Sequence, residues 1–190
     1  MEPVRTRRAV VAGAIALAGA GSYVLVLRGG LVLDLSVGRR FRPLGPLTTR
    51  IGAPRDVVFE VLSAPYLRRT PRALERKLRV VERSDGMVLA AHFTPVRKGL
   101  VATTLETVRF EPPDQIHFRL VRGPVPHVVE RFVLREEGAE TVLEYTGELG
   151  TDLWALGRLW GAAVARKWEA AVSSSLAAVK VEAERRAAHS

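Results

Sequence analysis

Cysteine is absent from this chain, which excludes disulfides, thiolate metal sites and cysteine nucleophiles together. The absence fixes no compartment, because a cysteine-free protein survives on either side of a membrane. Histidine is scarce, with four residues, and no two have metal-ligand spacing. No HExxH, GxSxG or phosphate-cradling glycine loop occurs either, so neither a metal nor another cofactor is expected. Internal repeats and low-complexity tracts are missing too.

Acidic residues are thin at one end. Residues 1–80 hold 15 Arg or Lys against 5 Asp or Glu, a net of +10, whereas residues 81–190 hold 14 against 15, a net of −1. The excess lies beside an apolar N-terminus, which suits an anionic lipid surface at roughly 1 kcal/mol per basic group near the headgroups. The basic half has few aromatics and no recognisable nucleic-acid motif, so nucleic acid is not expected as a partner. A bland reading stays open as well: 25 of the 29 basic residues are Arg, as an arginine-rich genome would give.

One long apolar run is present. Ala9 to Leu27 is uncharged over 19 residues, with Arg5, Arg7 and Arg8 before it and Arg28 after it. At 1.5 Å per residue such a helix spans roughly the hydrocarbon core of a bilayer. A secretory signal with Ala18-Gly19-Ala20 as cleavage site is the rival, but the run continues past it to Leu27, which favours a retained anchor. The basic counts of the two flanks tie, so orientation is undetermined. The chain thus divides into a basic flank and transmembrane helix (1–28), a basic juxtamembrane linker (29–45) and a globular domain (46–190). Arg28, Arg39, Arg40 and Arg42 are the candidate membrane-surface residues.

In the globular part, LTTRI (47–51) alternates as a short strand. Ala53-Pro54-Arg55-Asp56 opens a helix, and Val57, Val58, Val61 and Leu62 continue it at helical spacing until Ala64-Pro65 stops it. A short second helix is expected around Pro71 to Glu75. Six strands follow, at about 76–84, 87–95, 99–111, 114–122, 127–136 and 140–149, separated by turn chemistry such as Ser84-Asp85-Gly86 and Glu137-Gly138. Separators this short permit only antiparallel neighbours, hence a meander. Asp152 is a fair N-cap for a helix running to about Arg186. That helix carries an apolar seam of Trp160, Val164, Trp168, Val172, Leu176 and Val179, which must lie on the sheet, because so long a helix is not stable alone.

IGAPRDVVFEVLSAPYL (51–67), with its Ala-Pro before the first helix and Phe59 within it, resembles the opening of the START-like or SRPBCC superfamily of polyketide cyclases, dehydrases and lipid-transport proteins. ERFVLREEGAETVLEYTGEL (130–149) is similar to that superfamily's last two strands, and the Trp-bearing terminal helix fits as well. The resemblance covers about residues 46–187. It implies an α+β helix-grip fold, a seven-stranded curved antiparallel sheet wrapped around a long C-terminal helix, here preceded by one transmembrane helix. Relatives use the cavity between sheet and helix for lipids, sterols or polyketides, and one branch acts as a co-chaperone. A membrane anchor departs from most relatives, which are soluble.

Strand parity names the interior residues. Ile116, Phe118 and Leu120 oppose His117 and Arg119, and Val128, Phe132 and Leu134 oppose Arg131 and Arg135. Parity then turns Glu130 inward, and likewise Glu106, Arg122 and Tyr145 on their own strands. With Trp160, Val164 and Trp168 from the helix, these form the candidate ligand cavity. Two buried carboxylates must pair, protonate or meet a ligand. A Glu–Arg bridge at the cavity mouth is the structural alternative to a polar anchor. The small residues Gly157, Gly161, Ala163, Ala165 and Ala171 either leave volume or let the helix approach closely, and the first option is expected. Binding or transfer of a lipid or other hydrophobic small molecule at a membrane follows as the expected function. The alternatives are an aromatase/cyclase-like enzyme using Glu106 or Glu130 as acid or base, and an interaction module; no residue is otherwise assigned a catalytic role. Oligomeric state is not legible.

Overall fold

The computed structural model describes residues 21–31, 34–68, 70, 72, 74–97 and 99–189. Among the described residues, after a helical stretch at 21–27, the elements run in the order β1 (Arg40–Ile51), α1 (Arg55–Leu67), β2 (Leu78–Ser84), β3 (Met87–Arg97), β4 (Leu100–Glu111), β5 (Gln115–Arg122), β6 (His127–Glu137), β7 (Glu140–Thr151) and α2 (Trp154–Ala187). The strands form one antiparallel sheet in the order β1-β7-β6-β5-β4-β3-β2. β2 to β7 are thus a meander, and β1 closes against the last strand. Alternation does the work: Val108, Ile116, Val128, Leu134 and Leu143 each lie at an inward position and are fully buried. The seam of α2 covers them, with Val164 and Leu176 buried and Trp160, Trp168, Val172 and Val179 packed against the core.

Several boundaries differ from the sequence reading. β1 begins at Arg40, so the last six residues of the expected linker are strand, paired from Arg40↔Thr151 to Ile51↔Thr141. Arg40, Pro43 and Pro46 conceal it; an edge strand tolerates both prolines because one side of its ladder is unpaired. α1 runs through Pro65 to Leu67, two residues past its expected stop. Residues 74–77 form a turn rather than part of a second helix.

Asp152 does not cap α2. Its carboxylate turns back to accept the backbone N–H groups of Leu35 (2.7 Å) and Ser36 (2.9 Å) and the Arg39 Nε–H (2.7 Å). Arg39, which also bonds Asp34, is therefore committed to an ion pair and is not a free membrane-surface cation. The hydrogen bond to Arg39, with the two backbone donors, holds the Asp152 carboxyl below its ordinary value.

Of the expected transmembrane segment, residues 9–20 lie outside the described residues. Residues 21–27 are helical, and among the described residues no helix is long and apolar enough to cross a membrane.

The small residues at the head of α2 serve close approach rather than volume. A Cβ on Gly157 would stand 1.7 Å from the backbone oxygen of Asp152, and one on Gly161 would stand 3.0 Å from Thr151 Cγ2. Gly157→Ala therefore tests the packing with a clear sign. A helical Gly→Ala change ordinarily stabilises by about 0.5–1 kcal/mol. Here a backbone clash opposes it, and urea denaturation should show a loss of about 2 kcal/mol or more.

Candidate ligand site

Inward parity along four strands, β3 and β4 on one side of β5 and β6 and β7 on the other, brings the polar groups together. β3 contributes His92, β4 Thr104 and Glu106, β6 Glu130 and β7 Tyr145, in a register that sets His92 beside Thr104 and Glu130 beside Phe118 and Gly147. A Cβ on Gly147 would stand 3.2 Å from Glu130 Cγ and 2.8 Å from the Val129 oxygen, so glycine leaves room for the carboxylate arm. Both glutamates are buried, at 5% and 8% exposure.

Each carboxylate is satisfied differently. Glu106 accepts a short hydrogen bond from Thr104 Oγ1 and stands 3.3 Å from His92 Nδ1, an ion-pair contact with poor hydrogen-bond angle. His92 Nε2 lies 3.0 Å from the Tyr66 hydroxyl; once the ring is an imidazolium, that nitrogen donates. Glu130 Oε1 accepts from both the Tyr145 hydroxyl and the Trp168 indole N–H, each at 2.7 Å.

Burial acts first on all of these groups. It would push the Glu106 carboxyl up, but the charge and contact of His92, with Thr104, bring it below its ordinary value. Burial would lower the His92 imidazole, and the Glu106 charge raises it above its ordinary value. Glu130 has no cation of its own. Burial and the neighbouring Glu106 charge push its carboxyl up to about 7, against the opposing hydrogen bonds from Trp168 and Tyr145. Burial and the nearby carboxylates also raise the hydroxyls of Tyr66 and Tyr145. Glu106 and His92 thus each favour the other's charged form, beside a Glu130 carboxyl pushed up to about 7.

Around this core runs an aromatic wall. Tyr66 meets Phe110 and Phe118, Phe118 meets Phe132 at 5.4 Å, and Phe132 meets Tyr145 at 5.1 Å, all tilted or edge-on. His92 keeps 20% of its side chain exposed. Tyr66, Phe118 and Trp168 are likewise only half-buried.

Of the expected cavity residues, Glu106, Phe118, Glu130, Phe132, Tyr145 and Trp168 are brought together. Val164 is buried on the same helix, one turn before Trp168. Trp160 lies a further turn towards the head of α2, where its indole N–H donates to the Pro124 oxygen (2.8 Å) and its ring meets Tyr23 edge-on. Arg122 is a correction. The β4–β5 register passes from Leu105↔Arg122 to Glu106↔Leu120, so a bulge at Val121 breaks the parity. Arg122 is exposed and donates to the Gly30 oxygen, and the Glu–Arg bridge does not form. The cation beside Glu106 is His92, which shares inward parity with Val88 and Ala90 on β3.

The raised Glu130 gives a pH test with a definite sign. Between the ordinary carboxylate value and about 7 the folded chain keeps a proton that the unfolded chain has released, so this group's contribution to stability falls as pH rises through that window. Glu130→Gln keeps an oxygen to accept from Tyr145 and Trp168 and removes the titration. Relative to the native chain it should be more stable at pH 8 than at pH 5, the gap in Tm widening by roughly 5 °C at about 2–4 °C per kcal/mol. Thermal melts at the two pH values measure this.

Against known proteins, no protein-family model matches the sequence, and no curated protein matches it. Solved structures do. The Zhui aromatase/cyclase from Streptomyces sp. R1128 is similar with a TM-score of 0.62 at 21% identity, over 78% of this chain and 95% of that one. The di-domain ARO/CYC StfQ from the steffimycin biosynthetic pathway is similar with a TM-score of 0.57 at 19% identity, over 80% of this chain and 52% of that one. Norcoclaurine synthase from Thalictrum flavum is similar with a TM-score of 0.50 at 15% identity, over 75% and 92%. These likenesses and the strand order together show that the chain has a helix-grip fold.

Proposed function

We propose that the chain binds a hydrophobic small molecule or lipid between the sheet and α2, at a membrane to which residues 9–27 anchor it. The observation that carries the ligand reading is the aromatic wall, still partly accessible, around one carboxyl without a cation of its own. Apolar walls supply most of the affinity in such sites, and a few placed polar groups fix orientation. Glu130 suits a hydroxyl or carbonyl of the ligand, since near its midpoint it can accept or donate. The neighbours named aromatase/cyclases favour a flat, oxygen-bearing ring system, and the edge-on aromatic contacts are compatible with one. Native mass spectrometry of the full chain purified in detergent should reveal a co-purified apolar molecule. Val164→Phe, one turn from Trp168 on the face of α2 turned to the sheet, should weaken binding of an added fluorescent fatty acid or polycyclic phenol at least tenfold, with circular dichroism checking that the chain stays folded. A chain that carries nothing, and whose Trp fluorescence gives no saturable response to either probe, would overturn the reading.

A second reading is acid–base catalysis, favoured by the position of Glu130 near neutrality beside the Tyr66–His92–Glu106 chain. On a bound ketone, the Glu130 carboxylate would take a proton from the carbon next to the carbonyl, and the same group would return one. A deuterated aryl methyl ketone should then lose deuterium to water faster in the presence of the native chain, with a bell- or step-shaped pH dependence near 7. Glu130→Gln should remove that acceleration without removing binding. Equal exchange rates in both would leave a binding protein.

A further inference from the structure

The head of α2 is apolar on its outward side, the reverse of what a solvent-facing helix needs. Trp154, Leu156 and Leu159 are 56%, 67% and 73% exposed. Leu153 and Trp154 hold φ values of 68° and 46°, a left-handed conformation that residues other than glycine rarely adopt. Such backbone persists only where its surroundings enforce it. Here the Asp152 clasp, with Leu153 N–H on the Val37 oxygen and Trp154 N–H on the Gly38 oxygen, holds it. The strain displays two large apolar side chains at the surface.

Three further observations select what covers this face. Leu27 is buried, Gly29 lies against the Thr103 oxygen, and Tyr23 stacks edge-on against Trp160, so the uncharged run of residues 9–27 ends on this face and not at the far end of a loose tether. Arg40 and Arg158 flank it, exposed and without an acidic partner among the described residues, and Arg28, at the end of the run, is exposed in the same way. Arg40 and Arg158, with Trp154 and Ala155, also line a recess of about 450 Å³. Two unpaired guanidinium groups beside an indole match a phosphate-bearing headgroup above acyl chains.

We propose that this face, the head of α2 with the flanking residues around Tyr23, inserts into the headgroup layer of an anionic bilayer and seats the domain directly on the membrane. The proposal rests on the membrane half of the function proposed above and is independent of any ligand in the interior. The probe is the full chain reconstituted in phosphatidylcholine/phosphatidylserine vesicles whose acyl chains are brominated near the headgroup. Brominated lipid should quench the native Trp emission, and Trp154→Phe should lose at least half of that quenching. Arg40→Gln with Arg158→Gln should lower the quenching on mixed vesicles to the level seen on pure phosphatidylcholine. Leu156→Ser with Leu159→Ser, at exposed positions, should also weaken it while circular dichroism stays unchanged. Equal quenching in native chain and Trp154→Phe would overturn the proposal, as would a Trp154 still open to aqueous acrylamide with vesicles present. Shielding of Trp154 that appears without lipid, with a dimer in sedimentation, would assign the face to a second copy and overturn it as well. Fatty-acid binding is read separately, so a failure here leaves the ligand reading standing.

Discussion

Two carboxylates share an apolar interior, and the low dielectric there forbids two uncompensated charges. An ionised group buried alone costs several kcal/mol, so each needs a cation, a proton or strong donors. Glu106 takes the first option through His92, whose imidazolium it stabilises in turn. That choice leaves Glu106 anionic beside Glu130, and the anion opposes a second one nearby. Glu130 is therefore held near neutrality by its neighbour's ion pair, with Tyr145 and Trp168 keeping ionisation within reach. The division of labour between two chemically identical side chains follows from which one sits beside the histidine.

Much of the architecture serves that arrangement. Gly147 opens room for the Glu130 arm, and Trp168 reaches it from α2, so the helix is tied to the sheet through the same carboxylate it helps to bury. At the helix head the fit is tighter: Gly157 and Gly161 bring backbone against the end of β7, and a methyl group has no room at the first. The grip is close at the helix head and is held further along by aromatic side chains, Trp168 among them.

Period-two alternation made the strands, the meander and both inward glutamates readable without coordinates, because a one-residue error would flip every side chain. Arg122 escaped the same logic, since parity survives only until a bulge and nothing in LVRG marks one. His92 has the inward parity of Val88 and Ala90, but mixed polar and apolar neighbours hide that pattern in the sequence. Tyr66 stood beyond Pro65, where helix rules put a stop that tertiary packing overrode. β1 was half concealed because Arg and Pro on an edge strand look like a linker. Asp152 matched a cap by type and position, yet its charge was worth more against Arg39 and two backbone donors contributed from 117 and 116 residues away in sequence. Long-range partners of that kind leave no local signal.

The proposed ligand site and the proposed lipid-facing surface lie along one helix. Trp160 and Trp168 are two turns apart on α2, about 12 Å at the usual rise. The first leans on Tyr23 where the apolar run ends, and the second donates to Glu130. Between them lies Val164, buried against the sheet. A domain seated by the head of α2 would place its titratable carboxyl roughly that distance from the headgroup layer, within the length of an acyl chain. An apolar molecule could then pass from bilayer to site along the helix without crossing bulk water, which would remove the main kinetic cost of extracting it from lipid.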